Sequence, residues 1–442
     1  MLDGLRYNFS FTGTAQHTHV VALPVSQKSG RGRPTLPPTS GAYCRAHTGG
    51  MITGRALTRS LDRIRLLGDR RMGGSALDHQ SLRSEVLAEV GRIVPFDAFV
   101  WPLCDPVTAT GVAPRARIPC PEELPLVIRL KYLSRPARWT GLAGSESRVS
   151  TLLRATDGDP SHSPLWKGVL KRYGISDVLS AVFADKHGCW GWLDLWRTGS
   201  QGAFTEPEAG YLADVARQLT PALRRSIARQ FESRTNHEHG GPDAAATTLP
   251  GKTTLAGNGT SRVELPPQAV LTLDEDMAVL GETASTRDWL GILQPGPRPY
   301  QSVPAEVLNV AAQLLAREAG VDDHDAAARV HIGYGRWAML RASRMASVSS
   351  GATPPLAVTI QECPPEARLD MFARCFGLPP RQRELLELAS AGASTEAMAE
   401  AQGTSAYTVQ DQFKQIFENC GVRSRASLLA MALGIAPGAS GL

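Results

Sequence analysis

Leu378-Pro-Pro-Arg-Gln-Arg-Glu-Leu-Leu-Glu-Leu-Ala-Ser-Ala-Gly392 opens on two prolines and stops on a glycine, with Leu385, Leu386, Leu388 and Ala389 between them. Proline suits the first turn of a helix, where an N–H has no partner to lose, and glycine suits the left-handed residue that ends one. A short helix is expected next over Ser394 to Ala401, with Ser394 as its cap. The chain then turns through Gln402-Gly-Thr404, and Ser405 caps a longer helix that ends at Gly421. Short helix, tight turn and long helix are the parts of a helix-turn-helix.

The long helix has two faces. Val409, Phe413, Ile416, Phe417 and Cys420 fall at i, i+4, i+7, i+8 and i+11 and make a core stripe. Gln410, Asp411 and Lys414 point elsewhere, and each has a match among base edges. Gln can bond adenine in two places, Asp can accept from cytosine and Lys can donate to guanine. Ser405, Tyr407 and Thr408 at the helix start suit phosphate oxygens, which the helix dipole also favours.

These residues resemble the LuxR-type helix-turn-helix family. Its pattern is a Leu-(Thr)-Pro-Arg-x-x-Glu opening, a Ser-x-x-Thr-Val start to the reading helix and a Gly-Val-x-(Ser/Asn)-Arg close. This chain supplies Leu378, Pro380, Arg381 and Glu384, then Ser405, Thr408 and Val409, then Gly421, Val422, Ser424 and Arg425. The resemblance implies that residues 375–442 form an all-α four-helix domain whose third helix enters the major groove of double-stranded DNA. It implies DNA contacts from Arg381, Ser405, Tyr407, Thr408, Gln410, Asp411, Lys414, Arg423 and Arg425. It also implies a homodimer on DNA, with Leu428, Leu429 and Met431 as core or dimer contacts, and RNA polymerase as a further partner. The chain departs from the pattern in several places. Ala397-Met398-Ala399 replaces a usual Glu-Ile-Ala. Gln402 and Thr404 take turn positions that are usually apolar. Gln410 stands where a basic residue is common, and Gln412 where His is frequent.

Working toward the N-terminus, the connector Pro365–Phe376 reads as helical. Residues 265–374 form a second α+β module: two strands around an Asp-Glu-Asp turn within 269–280, a helix over 303–319, and strands at 328–332, 336–342 and 356–363. Residues 232–264 are polar and low in complexity and read as a flexible linker. Residues 76–231 form the first module. A helix from about Asp78 precedes a strand at 96–101. The runs 177–183 and 189–196 make a hairpin whose connection ends at Gly188. Phe204-Thr-Glu-Pro-Glu208 opens a long helix. The first module resembles a GAF-type sensor and the second a PAS-type one. The GAF resemblance implies a small-molecule ligand, with a dimerising scaffold as the alternative. Trp190, Trp192 and Trp196 alternate on one face and read as core. Residues 1–75 read as a basic, disordered tail, with a helix possible from Ala56 to Met72 and with Met51 or Met72 as alternative starts.

Composition narrows the function classes. With 42% hydrophobic and 20% charged residues, the 442-residue chain reads as multidomain and soluble. The net charge of +5 comes from the tail, where eleven Lys or Arg outweigh three Asp, leaving the remainder acidic. Seven scattered cysteines, without C-x-x-C, fit neither a metal site nor a disulfide framework. No run suits a membrane span or a secretory signal, so a cytoplasmic location is expected. Gly251-Lys-Thr253 lacks the first glycine of a phosphate loop, His237-Glu-His239 lacks zinc spacing, and Val321-Asp-Asp-His324 lacks the partners of a phosphoacceptor. No enzyme, metal or cofactor is expected. A sequence-specific transcription regulator is the leading expectation. The alternative is a signalling protein whose degenerate helix-turn-helix binds a protein partner.

Overall fold

The computed structural model describes residues 54–72, 75–232, 264–294, 303–346 and 353–434. Most of the expected tail, the linker from 233 to 263 and the 251–253 and 237–239 motifs lie outside them. Two five-stranded antiparallel sheets with helices precede a helical C-terminal region.

The first unit begins earlier than expected. Helix α1 (Gly54–Asp69), assigned to the tail by sequence, packs on α2 (His79–Ile93) and on the long α4 (Glu206–Ala228). Its Ile64 is buried, and buried Ser60 bonds both Glu89 Oε1 (2.7 Å) and Tyr211 Oη (2.8 Å). Asp78 caps α2 by accepting from the Gln80 and Ser81 amides. Thr205 and Glu208 form a reciprocal capping box at the start of α4, which continues through Pro221. The sheet orders β1 (Ala98–Cys104), β2 (Gly111–Arg117), β3 (Val149–Thr151), β4 (Ile175–Asp185) and β5 (Gly188–Thr198) as β2-β1-β5-β4-β3. Helix α3 (Leu124–Leu133), absent from the sequence reading, packs near β1 and β2 on a second apolar layer.

A coiled-coil seam along α4 is also suggested by its spacing of Leu212, Val215, Leu219, Leu223 and Ile227. The structure corrects this: all five are buried within the chain, beneath α1 and α2 and against the sheet. The stripe is apolar because it lies in the core, so it offers no seam to a second copy.

The second sheet repeats the first one's topology. Its strands are β6 (Ala269–Leu273), β7 (Val279–Glu282), β8 (Ala327–His331), β9 (Trp337–Arg344) and β10 (Leu356–Glu362). The order β7-β6-β10-β9-β8 is again second, first, fifth, fourth, third within the unit. Helix α5 (Ala305–Glu318) covers this sheet and packs against α3 and β2 of the first unit.

That packing joins two modules expected to be separate. Three polar residues of α5, all buried, spend themselves on the first unit. Glu306 Oε1 accepts from the Ala113 amide (3.1 Å), Asn309 donates to Gly111 O (2.9 Å) and Gln313 Oε1 accepts from Arg138 (3.1 Å). Arg138 also pairs with Asp322 at 2.7 Å, both nearly fully buried. Thr108 donates to Ala327 O at 2.6 Å. Helix α6 (Pro365–Cys375) then leads to the C-terminal helices α7 (Pro380–Ser390), α8 (Thr395–Ala401), α9 (Ala406–Cys420) and α10 (Arg425–Leu433).

Candidate nucleic-acid interface

Serine caps set the geometry of the helical unit. Ser394 accepts from Ala397 N, Ser405 from Thr408 N at 3.1 Å and Ser424 from Ser427 N at 3.1 Å. Gly421, at φ +68°, ends α9. Between α8 and α9 the unusual Gln402 has a clear role. Its amide donates to Arg381 O (2.8 Å) and Glu384 Oε2 (2.9 Å), tying the turn to α7. An apolar residue at this place would hold the same turn by packing alone.

Val409, Phe413, Ile416 and Cys420 are buried, as the spacing requires, and Phe417 is half-buried against them. The opposite side of α9 carries Tyr407, Gln410, Asp411 and Lys414, all exposed, with Tyr407 at 75%. Gln415 and Glu418 complete this stripe and were missed, although they follow Asp411 and Lys414 by one turn. Gln415 donates to Asp411 Oδ2 at 3.4 Å, so the face is partly held before any ligand arrives. The stripe alternates neutral, acidic and basic groups and carries no strong charge of one sign.

The other implied contacts divide. Arg381 and Arg423 are exposed and make no ion pair among the described residues. Ser405 and Thr408 are engaged with each other, Oγ to Oγ1 at 3.0 Å, so their first task is the cap. Arg425 does not face outward: it lies 4.6 Å over the Phe413 ring and donates to Ala393 O and Met398 Sδ. It is packing rather than a free cation. Leu428 is fully buried inside the chain, which removes it from any dimer surface, while Leu429 and Met431 are half-buried. Of the unit's five cations, Arg383 pairs with Asp370 (3.3 Å) and Arg425 is internal. That leaves Arg381, Lys414 and Arg423 for a polyanion.

A second site lies in the first sheet unit, between α3 and the sheet, with α5 at its edge. A cavity of about 50 Å³ is lined by Trp192, Trp196 and Asp194 of β5, by Lys131 and Tyr132 of α3, and by Asn309 of α5. Lys131 pairs with buried Asp194 at 2.7 Å, and Asp194 also accepts from Ser180 at 2.7 Å. The indole N–H groups of Trp192 and Trp196 have no hydrogen-bond partner among the described residues, whereas Trp190 donates to Asp185 Oδ1. The three tryptophans are therefore all buried, as expected, but a bulge between Phe183 and Ala184 gives Trp190 a different partner.

Asp322, Asp323 and His324 are close enough to share a cation. Asp322 is already taken by Arg138, Thr140 (2.7 Å) and His324 (2.6 Å), which together hold its carboxyl far below the usual range against the upward push of burial. The six cysteines among the described residues are free thiols in buried positions. No helix among the described residues is long and apolar enough to cross a membrane. No model of a known protein family matches this chain, and no curated protein matches it.

Proposed function

We propose that the chain is a sequence-specific DNA-binding transcription regulator, of LuxR type in its C-terminal unit, with α9 as the helix that enters the major groove. One observation carries the reading. The α8–turn–α9 pair buries one stripe of α9 and leaves Tyr407, Gln410, Asp411 and Lys414 exposed in line along the other. Such a row of polar groups on a helix of this length suits base edges. Arg381 and Arg423 supply phosphate contacts at either side. The two sheet units are proposed as GAF-like and PAS-like sensors, a reading supported by their shared strand order. The cavity under α3 is the proposed place for a small ligand in the first of them, with two indole donors to offer.

The modest charge makes the test quantitative. Each phosphate neutralised on duplex DNA contributes roughly −0.9 to the slope of log affinity against log salt. Two phosphate contacts, Arg381 and Arg423, give a slope of about −2 for one chain and about −4 for a pair. The full chain, taken through selection on random duplexes and then titrated at several salt concentrations, is expected to fall in that range. Absence of any selected sequence at low salt would reject the reading. The competing reading, a protein partner on the same face, is favoured by the six acidic residues of this unit and by the exposed ring of Tyr407.

A further inference from the structure

Helix α6 touches all three units, and it holds charge in places where charge is hard to replace. Arg368 is buried and pairs with no carboxylate among the described residues. Its guanidinium donates to Ala432 O (2.7 Å) and Met431 O (3.0 Å) in the last turn of α10, and to Gly335 O in the β8–β9 turn. It also lies 5.0 Å over the ring of Phe231, where the first unit ends. The last carbonyls of a helix carry partial negative charge and lack partners within it, so a buried cation there replaces water. Burial pulls the Arg368 pKa down to about 10.

Two residues on, Asp370 stands in a continuous chain of ion pairs. Asp105 of the first unit grips Arg329 of β8 through both oxygens, at 2.7 Å each. Arg329 Nη1 reaches Asp370 Oδ2 at 2.8 Å, and Asp370 Oδ1 reaches Arg383 of α7 at 3.3 Å. Arg374 donates to Asp370 and, at 3.0 Å, to His187 O at the tip of the β4–β5 hairpin. Asp105 and Arg329 are almost wholly buried, where a charge left without its partner is costly. The main packing of α7 and α10 on the rest of the chain is onto α6, and Gly377, at φ +66°, forms the joint between α6 and α7.

We propose that Arg368 and Asp370 are positioning residues. They fix the pose of the helical unit on the two sheet units and carry a change in either sheet unit to α9. The functional half rests on the reading of α9 as the DNA-contacting helix; the clamp itself does not. Its two ends are independent in chemistry, one a helix C-terminus and the other a carboxylate between three guanidiniums. Loosening either frees the joint at Gly377 without touching the stripe of α9.

Hydrogen exchange of the full chain, followed by mass spectrometry, tests the clamp without DNA. Asp105→Asn lies in the first unit, yet it is expected to raise exchange in 380–390 and 425–433 at least threefold more than in 79–93 of its own unit. A purely local role would confine the change to the surroundings of Asp105 and β8, and that result would overturn the proposal. Coupling is reciprocal, so Arg383→Gln, at the half-buried end of the chain of ion pairs, is expected to raise exchange at 327–331 and serves if Asp105→Asn does not fold. Unchanged exchange there would equally overturn it. On a duplex selected by the wild type, Arg383→Gln is expected to shift affinity at least threefold with the same selected sequence and salt slope. A changed salt slope would make Arg383 a phosphate contact and reject its place in the clamp. A wild type that selects no duplex would reject the reading of α9 alone, and the exchange result would still decide the clamp.

Discussion

Lys414 in the middle of α9, and Ser405 and Thr408 at its start, separate reading from support. Lys414 is exposed and unpaired among the described residues, so its loss removes only what it gives a ligand. Lys414→Ala is expected to relax preference at one base position by about 1–3 kcal/mol, seen as a broadened column in a selected-sequence profile. An unchanged profile would remove Lys414 from the reading face. Thr408→Ala is expected to weaken all duplexes about equally. Ser405 caps the helix through the Thr408 amide. Ser405→Ala is therefore expected to lower stability by about 1 kcal/mol in denaturant unfolding, with or without DNA. The exposed stripe of α9 was legible because its buried stripe leaves no other place for Gln410, Asp411 and Lys414. The packing of Arg425 was not legible, for an equally physical reason. A guanidinium over Phe413 and one over phosphate look the same in sequence, and only the fold of α10 onto α9 separates them.

At the scale of elements, short local signals were readable and those that depend on a distant neighbour were not. The hairpin was announced by Gly188 after Asp185-Lys-His187, and the strands extend right to the turn, with Asp185 facing Gly188. Gly188 is needed twice over: its φ is +143°, and a Cβ there would lie 2.3 Å from Pro106 O. Gly188→Ala is expected to destabilise the chain by well over 1 kcal/mol, from backbone strain and the clash together. Thermal unfolding checks this, and an unshifted midpoint would contradict the geometry. By contrast β2 was invisible, because Gly111-Val-Ala-Pro-Arg-Ala-Arg117 contains a proline and no clean alternation. It forms at the sheet edge, where a missing N–H is tolerated. Helix α5 was found where the sequence put it, but its packing on the first unit was not legible. Glu306, Asn309 and Gln313 recur at i, i+3 and i+7 and look like a solvated face, whereas each meets a backbone or side-chain partner in the first unit.

For the whole molecule, the two sheet units and the helical unit form one packed assembly through α5 and α6, and its acid stability follows from the carboxylates at that junction. Burial pushes the Asp105 pKa up, but Arg329 and the Val107 and Arg329 amides outweigh it and hold the group below its usual range. Burial also pushes Asp370 up, and its bonds to Arg374 and Arg329 bring it down past the usual value. A carboxylate depressed in the folded state stabilises it at pH values above the unfolded pKa of about 4. That contribution is lost as pH falls below about 4 through the lowered folded values. The wild type is thus expected to keep its stability from neutral pH down to about 5 as far as these two groups are concerned, and to lose it steeply below 4. Asp105→Asn is expected to be less stable near neutral pH by about 3–5 kcal/mol, because Arg329 is left buried with its main partner gone. As pH falls below about 4 toward the lowered folded value the gap should narrow progressively, since protonation then does to the wild type what the substitution does at every pH. Denaturant unfolding of both proteins from pH 3 to 7 measures the gap. A gap that stays constant across that range would show that Asp105 acts through shape and hydrogen bonding rather than through its charge.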